Sequence, residues 1–180
     1  MLERYDARSE LEAVDVLRVA GVLDRGRPWD RATPLHTTGS ALIVHPPTRR
    51  VLLRWHERQQ AWLQVGGHGD PGEDDPLAVA LRVAEEETGL ADLDVWPAGT
   101  DPLPVHLVIV PVPAGKGEPA HEHADLRYVL ATSTPDAARP ESPAAPMRWV
   151  TFAEARELTR EDNLQETLRR VEELFTLDHG

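Results

Sequence analysis

The sequence predicts an α/β protein, a mixed β-sheet with helices on its faces, and three observations carry that expectation. Short aliphatic and β-branched runs such as SALIVH, RVLLRW and VHLVIVPV are bounded by Pro, Gly and charged residues and read as strands. Between and beyond them lie longer stretches whose apolar residues recur at spacings of three and four, the mark of amphipathic helices. A length of 180 residues with 41% hydrophobic content suits one compact core.

Taken in order, residues 8–23 (RSELEAVDVLRVAGVL) place Leu11, Val14, Leu17 and Val22 on a helical apolar stripe, with Ser9 as N-cap. DRGRPWDRATP reads as a loop, so residues 1–35 form an N-terminal helical extension packing on a domain of residues 36–180. SALIVH and RVLLRW are two strands joined by the hairpin turn PPTR. AWLQV is a short third strand leading into the glycine-rich GGHGDPGEDD. A helix follows from Pro76 to about Thr88, capped by Asp75, with Leu77, Ala80, Leu81, Ala84 and Thr88 on its core side. LDVW, VHLVIVPV and LRYVLAT are further strands, the last two separated by the polar loop PAGKGEPAHEHAD. STPDAARPESPAAP is a surface loop and MRWV the last strand. Thr151 and Glu154 open a short helix as a capping box, and NLQETLRRVEELFTL is an amphipathic C-terminal helix.

Composition removes several functions. Nineteen basic against 31 acidic residues give a formal charge of −12, which argues against a broad surface for DNA or RNA. Without cysteine there are no disulfides, thiolate metal sites or Cys nucleophile. The opening MLERYDARSELEAVD lacks the apolar core of a signal peptide, and no stretch approaches the roughly 20 apolar residues of a membrane span. A cytoplasmic protein is therefore the expectation.

Glu85, Glu86 and Glu87 crowd the C-terminal end of the Pro76 helix just before Gly89, where the helix dipole disfavours negative charge by about 0.3–1 kcal/mol per group. Glu86 and Glu87 project about 100° apart and can both reach a cation held against the preceding loop. Hard oxygen donors without Cys point to Mg²⁺ or Mn²⁺. Such an ion would offset both the mutual repulsion and the dipole penalty.

At this point the sequence resembles the Nudix hydrolases, whose signature is G-x5-E-x7-R-E-U-x-E-E-x-G-U with U aliphatic. Gly67 and Glu73 match its first part; Arg82, Ala84, Glu86, Glu87, Gly89 and Leu90 match its second. PWDR, TTGSALIV, VLLRWH, WLQVGGH and EPAHEHADLRYVL look like a less characterised branch, so the resemblance spans most of residues 28–175. It departs from the signature twice. Eight residues, not seven, separate Glu73 from Arg82, and Val83 stands where the family has glutamate. Loops absorb an insertion of one residue at modest entropic cost. Val83 can neither bind metal nor orient water, and it lies off the expected apolar stripe.

The resemblance implies an α/β/α Nudix sandwich with a mixed sheet, and a metal-dependent hydrolase of a phosphoanhydride in a nucleoside diphosphate derivative. It implies Mg²⁺ (or Mn²⁺) on Gly67, Glu86 and Glu87, with Arg82, Glu86 and Glu73 as catalytic residues. A general base would come from outside the motif, with Glu122, Asp125 or a histidine available. The alternative is a catalytically impaired module that binds a nucleotide or regulates a partner. A homodimer is a further expectation of the resemblance, the N-terminal helix packing on its own domain or a neighbour's.

Other features weigh less. Gly67, Gly69 and Gly72 spell G-x-G-x-x-G, but Asp70, Glu73, Asp74 and Asp75 would repel a pyrophosphate at that helix end. His121 and His123, with His68 and Arg127, are candidate contacts to substrate; with Asp125 the histidines could instead bind metal. Trp29, Trp55, Trp62, Trp96 and Trp149 are mostly packing residues, and no serine-hydrolase elbow is present.

Overall fold

Two long strands, β1 (Leu35–His45) and β7 (His121–Ala131), run parallel side by side from Leu35 opposite Glu122 to Val44 opposite Ala131. The computed structural model describes residues 1–177 apart from Arg27, Thr100, Asp101 and Lys116. Arg27 and Lys116 of the expected loops, and the last three residues of the expected 36–180 domain, lie outside the described residues. On its other edge β1 takes two antiparallel strands in succession, β4 (Val65–His68) against Thr38–Ala41 and β2 (Arg50–His56) against Ile43–His45. Strands β3 (Ala61–Leu63) and β8 (Met147–Thr151) flank β2, while β5 (Asp94–Val95) and β6 (His106–Val112) pair with β7.

Alternation along the strands sends side chains to two cores, because successive residues point to opposite faces. Ala41, Ile43, Leu52, Leu126 and Tyr128 meet α1 (Glu10–Asp24) and α2 (Pro76–Thr88) on one face. Leu42, Val44, Val51, Leu53 and Val129 meet α3 (Phe152–Leu158) and α4 (Asp162–Leu177) on the other. The result is an α/β/α arrangement around an eight-stranded mixed sheet. No helix among the described residues is long and apolar enough to cross a membrane.

Three sequence expectations are corrected. Helix α1 starts from Ser9 as expected, the hydroxyl accepting from the Glu12 amide at 3.1 Å, but of its expected apolar stripe only Val22 turns inward. Leu11, Val14 and Leu17 are 73%, 51% and 74% exposed, whereas Glu12, Asp15, Val19 and Val22 are buried. The reason lies in β6, whose outer edge offers amides without strand partners. Asp15 accepts from Ile109 N at 3.1 Å and the Tyr5 hydroxyl from Leu107 N at 2.8 Å. Glu12 accepts from both Arg170 Nη atoms at 2.7 and 2.8 Å and from the Tyr5 hydroxyl. Satisfying a sheet edge and a buried guanidinium outweighs burying three aliphatic side chains.

The second correction concerns α2, which buries Pro76, Val79, Ala80, Val83, Ala84 and Thr88 and leaves Leu77 and Leu81 half-buried. Glycines beneath it permit that close approach. A Cβ on Gly39 would stand 2.6 Å from the Pro76 carbonyl oxygen, and one on Gly67 3.3 Å from Val83 Cγ2. Val83 is thus core, against expectation. The helix ends at Gly89, left-handed at φ 67°, its amide returning to Glu85 O at 2.7 Å. Third, HEHAD is not loop: β7 begins at His121 because β1 and β6 clamp that segment from both sides, pairing Leu35 with Glu122 and Val112 with His121.

Candidate active site

Arg82, at the midpoint of α2, organises the acidic cluster. Its Nε and Nη2 donate to the two oxygens of Glu73 at 2.8 Å each, Nη1 donates to Glu86 at 3.0 and 3.2 Å, and Nη2 also reaches the His68 carbonyl oxygen at 3.1 Å. A planar fork of five donors suits this bidentate geometry. The hydrogen bond from Arg82 holds the Glu73 carboxyl below the usual carboxylate range, and Glu73 also accepts from the Asp70 amide at 2.6 Å, closing the loop that carries the extra residue. The insertion therefore leaves the Glu73–Arg82 pair intact.

Glu87 sits differently. Its side chain is 15% exposed, with Arg54 Nη1 3.4 Å away and the Gly66 amide donating at 3.3 Å. Burial pushes its carboxyl up to about 7 despite Arg54, a carboxylate short of positive partners. Glu86, by contrast, is 58% exposed and held by Arg82. Glu85 is exposed as well.

On the opposite face of the sheet four histidines converge. His36 and His123 are cross-strand partners on β1 and β7, and His68 ends β4 opposite Thr38. The His68 Nε2 lies 3.1 Å from His36 Nε2 and 3.2 Å from His123 Nε2, and His121 Nε2 lies 3.1 Å from His123 Nε2. Burial, then the neighbouring His123, drives His68 down to about 3; burial, then His36, drives His123 to about 4; burial also lowers His36. Deeper on the same face Asp125 accepts from Thr38 and Ser40 at 3.0 Å each and from Arg127 Nε at 2.8 Å. Arg127 is 2% exposed, its other nitrogens donating to Thr167 Oγ1 at 2.9 Å and Asn163 Oδ1 at 2.8 Å. Glu122 points to the other face, paired with Arg18 at 2.5 Å.

A family model described as the NUDIX domain matches residues 35–171, well over half of the chain. The chain belongs to the NUDIX family. Among solved structures, a C. elegans Ap4A hydrolase binary complex is similar at TM-score 0.60 and 16% identity, over 78% of this chain and 97% of that one. A NUDIX-family hydrolase from Clostridium perfringens is similar at TM-score 0.57 and 25% identity, over 79% and 97%. The E. coli dihydroneopterin triphosphate pyrophosphohydrolase is similar at TM-score 0.54 and 18% identity, over 74% and 92%. No curated protein matches the sequence.

Within this NUDIX domain the box donors are of the kind a hard divalent ion takes. Glu87 is the observation that tests the fit: a mostly buried carboxylate with incomplete compensation is what a bound cation would repair. The third carboxylate of the family pattern is missing, Val83 filling its place against Gly67. Sequence reasoning missed two residues. Arg54, on β2, joins Glu87 to Glu141 at 2.5 Å on the far side. His36 lies upstream of the run that reads as the first strand; an alternation extended back from Ser40 through Thr38 would have put it on the same face.

Proposed function

We propose that this NUDIX protein hydrolyses a phosphoanhydride bond of a small nucleoside diphosphate derivative or related pyrophosphate, using Mg²⁺ or Mn²⁺. The observation that carries the reading is the Arg82 clamp on Glu73 and Glu86 beside a mostly buried Glu87 whose burial is only partly offset by Arg54. The NUDIX match and the hydrolase and pyrophosphohydrolase names of its structural neighbours support it. Glu86, Glu87 and the Gly67 carbonyl would hold the ion, which when bound lowers the pKa of water and neutralises phosphate charge. Arg82 keeps Glu86 aimed and fixes the strand carrying Gly67 through the His68 carbonyl, so the ligands are preorganised. Glu73 anchors Arg82 from the loop. His68, His121 and His123 border the substrate side of β4, meeting the non-reacting part of the substrate directly or through an ion that they hold, and Arg127 supports that wall through Asp125.

A second reading, an impaired module that binds a nucleotide, is favoured by one set of contacts. Val83 is buried, Glu122 is paired with Arg18, and Asp125 already accepts four hydrogen bonds, from Thr38, Ser40, Gln64 and Arg127, so the outside carboxylates suited to base work are engaged. One experiment separates the readings: release of phosphate or nucleotide from nucleoside triphosphates, nucleotide sugars, ADP-ribose and dinucleoside polyphosphates with Mg²⁺ or Mn²⁺. Turnover of one class, lost in Glu86→Gln, is the expected result. Nucleotide binding without turnover by the wild type would establish the impaired module instead.

A further inference from the structure

The histidine cluster has a hydrogen-bonding problem that neutral rings cannot solve. His36 Nδ1 lies 3.1 Å from the Thr33 carbonyl oxygen and His121 Nδ1 2.9 Å from the Pro119 carbonyl oxygen, so both rings carry their proton on Nδ1 and present a bare Nε2. The close contacts run His36, His68, His123, His121, all between Nε2 atoms. With acceptors at both ends, His68 must donate to His36 and His123 to His121, which sets two N–H groups against each other at 3.2 Å. Removing either proton sets two lone pairs against each other. For four neutral imidazoles one of the three contacts is always repulsive.

A single cation at the meeting point turns every lone pair into a bond. We propose that His36, His121 and His123 form a second metal site that takes a divalent transition metal of the zinc type through their Nε2 atoms, with His68 packed against His36 and His123 at its edge. His36, His121 and His123 are the one group of three or more His, Asp or Glu among the described residues whose ligand atoms all lie within 4.8 Å of one another. Bonds of about 2.0–2.1 Å at tetrahedral angles put zinc ligand nitrogens roughly 3.3 Å apart, close to the 3.1 Å between the Nε2 atoms of His121 and His123. The backbone carbonyls on His36 and His121 Nδ1 are the outer hydrogen bonds that orient ligating imidazoles. All-imidazole donors select zinc-like ions and reject Mg²⁺, which demands oxygen. His36 is buried while the other three are half-buried, which leaves the ion a path in.

The site is separate from the glutamates of α2 and does not depend on the hydrolase reading. The test is a titration of the metal-stripped full chain with Co²⁺ and Zn²⁺, followed by visible absorption and competition. One equivalent should bind with the intense visible bands of a low-coordinate Co²⁺ site. In His36→Gln/His123→Gln affinity should fall on the order of 100-fold, and in Glu86→Gln/Glu87→Gln it should stay unchanged. Because the histidine variant also alters a buried position, X-ray absorption at the zinc edge of the loaded wild type gives an independent readout, with imidazole scattering from three or four rings expected. Unchanged affinity in the histidine variant, a shell dominated by oxygen, or the absence of saturable binding would each overturn the proposal.

Discussion

Val83 occupies the space between α2 and β4 that a family glutamate would share with Gly67, at 7% exposure and 3.3 Å from where a Gly67 Cβ would lie. An aliphatic side chain there strengthens packing and removes a negative charge from beside Glu87, whose carboxyl is already pushed up to about 7 by burial. Val83→Glu should therefore cost at least about 1–3 kcal/mol in metal-free protein, the cost of a poorly satisfied buried polar group. Mg²⁺ should recover most of that loss. Thermal unfolding with and without Mg²⁺ measures both, and a melting temperature unmoved by Mg²⁺ would show that position 83 does not face the ion. A large gain in turnover would mean that the box lacks only this carboxylate.

At the scale of the element, α1 reverses the usual sorting of a surface helix. Glu12 is the clearest case: burial would raise its carboxyl, but hydrogen bonds from Arg170, Tyr5 and the Arg8 amide bring it down to about 2. Its contribution is therefore present above the ordinary glutamate range and lost as pH falls through about 2. Glu12→Ala leaves the Arg170 guanidinium, 3% exposed, with Glu166 as its remaining acidic partner and both Nη atoms short of a carboxylate, and should destabilise by about 2–4 kcal/mol. Leu11→Gln and Leu17→Gln, on the exposed stripe, should shift stability by no more than about 0.5 kcal/mol. Denaturant titration of the three variants checks the pair of expectations, and equal losses would contradict the observed orientation. Periodicity located α1 and Ser9 capped it, but which face turns inward was decided by Ile109 and Leu107 on β6, partners about a hundred residues away that no local pattern reveals. The Pro76 helix keeps its expected bounds, its Asp75 cap and its buried Ala80, Ala84 and Thr88, but its core face turns toward Val83 for a related reason. Its register depends on glycines in β1 and β4, and a window over the helix alone cannot weigh them. The box residues were legible because Glu73, Arg82 and Glu86 are close in sequence and pair locally. The histidine group was only partly legible, since His36 joins His121 and His123 through a parallel strand pair.

For the molecule as a whole, the histidines set the response to acid. His36, His68, His106 and His123 all have folded pKa values lowered by burial, so below an unfolded value of about 6.5 the unfolded chain binds more protons than the native one. Their contribution is complete above that value and declines as pH falls toward about 4. Glu87 works in the opposite direction, its raised pKa favouring the fold toward acid, but it is one group against five, His56 being lowered by burial as well. The urea midpoint of metal-free protein should fall between pH 7.5 and pH 5. A midpoint that rises over that interval would mean that these rings are not neutral in the native state.

Strand β4 is four residues long and belongs to two neighbourhoods at once: Gly67 lies against Val83 of α2, while the ring of His68 stands among the other imidazoles and its carbonyl oxygen is gripped by Arg82. An ion on the proposed imidazole site would stiffen the same peptide that the carboxylate side must hold still, leaving the second arrival less freedom to quench. Thermodynamic reciprocity then requires equal factors: whatever saturating Zn²⁺ does to the affinity for Mg²⁺, Mg²⁺ must do to the affinity for Zn²⁺. With both proposed sites filled, the two sides of one short strand would become correspondents, each able to report the occupancy of the other.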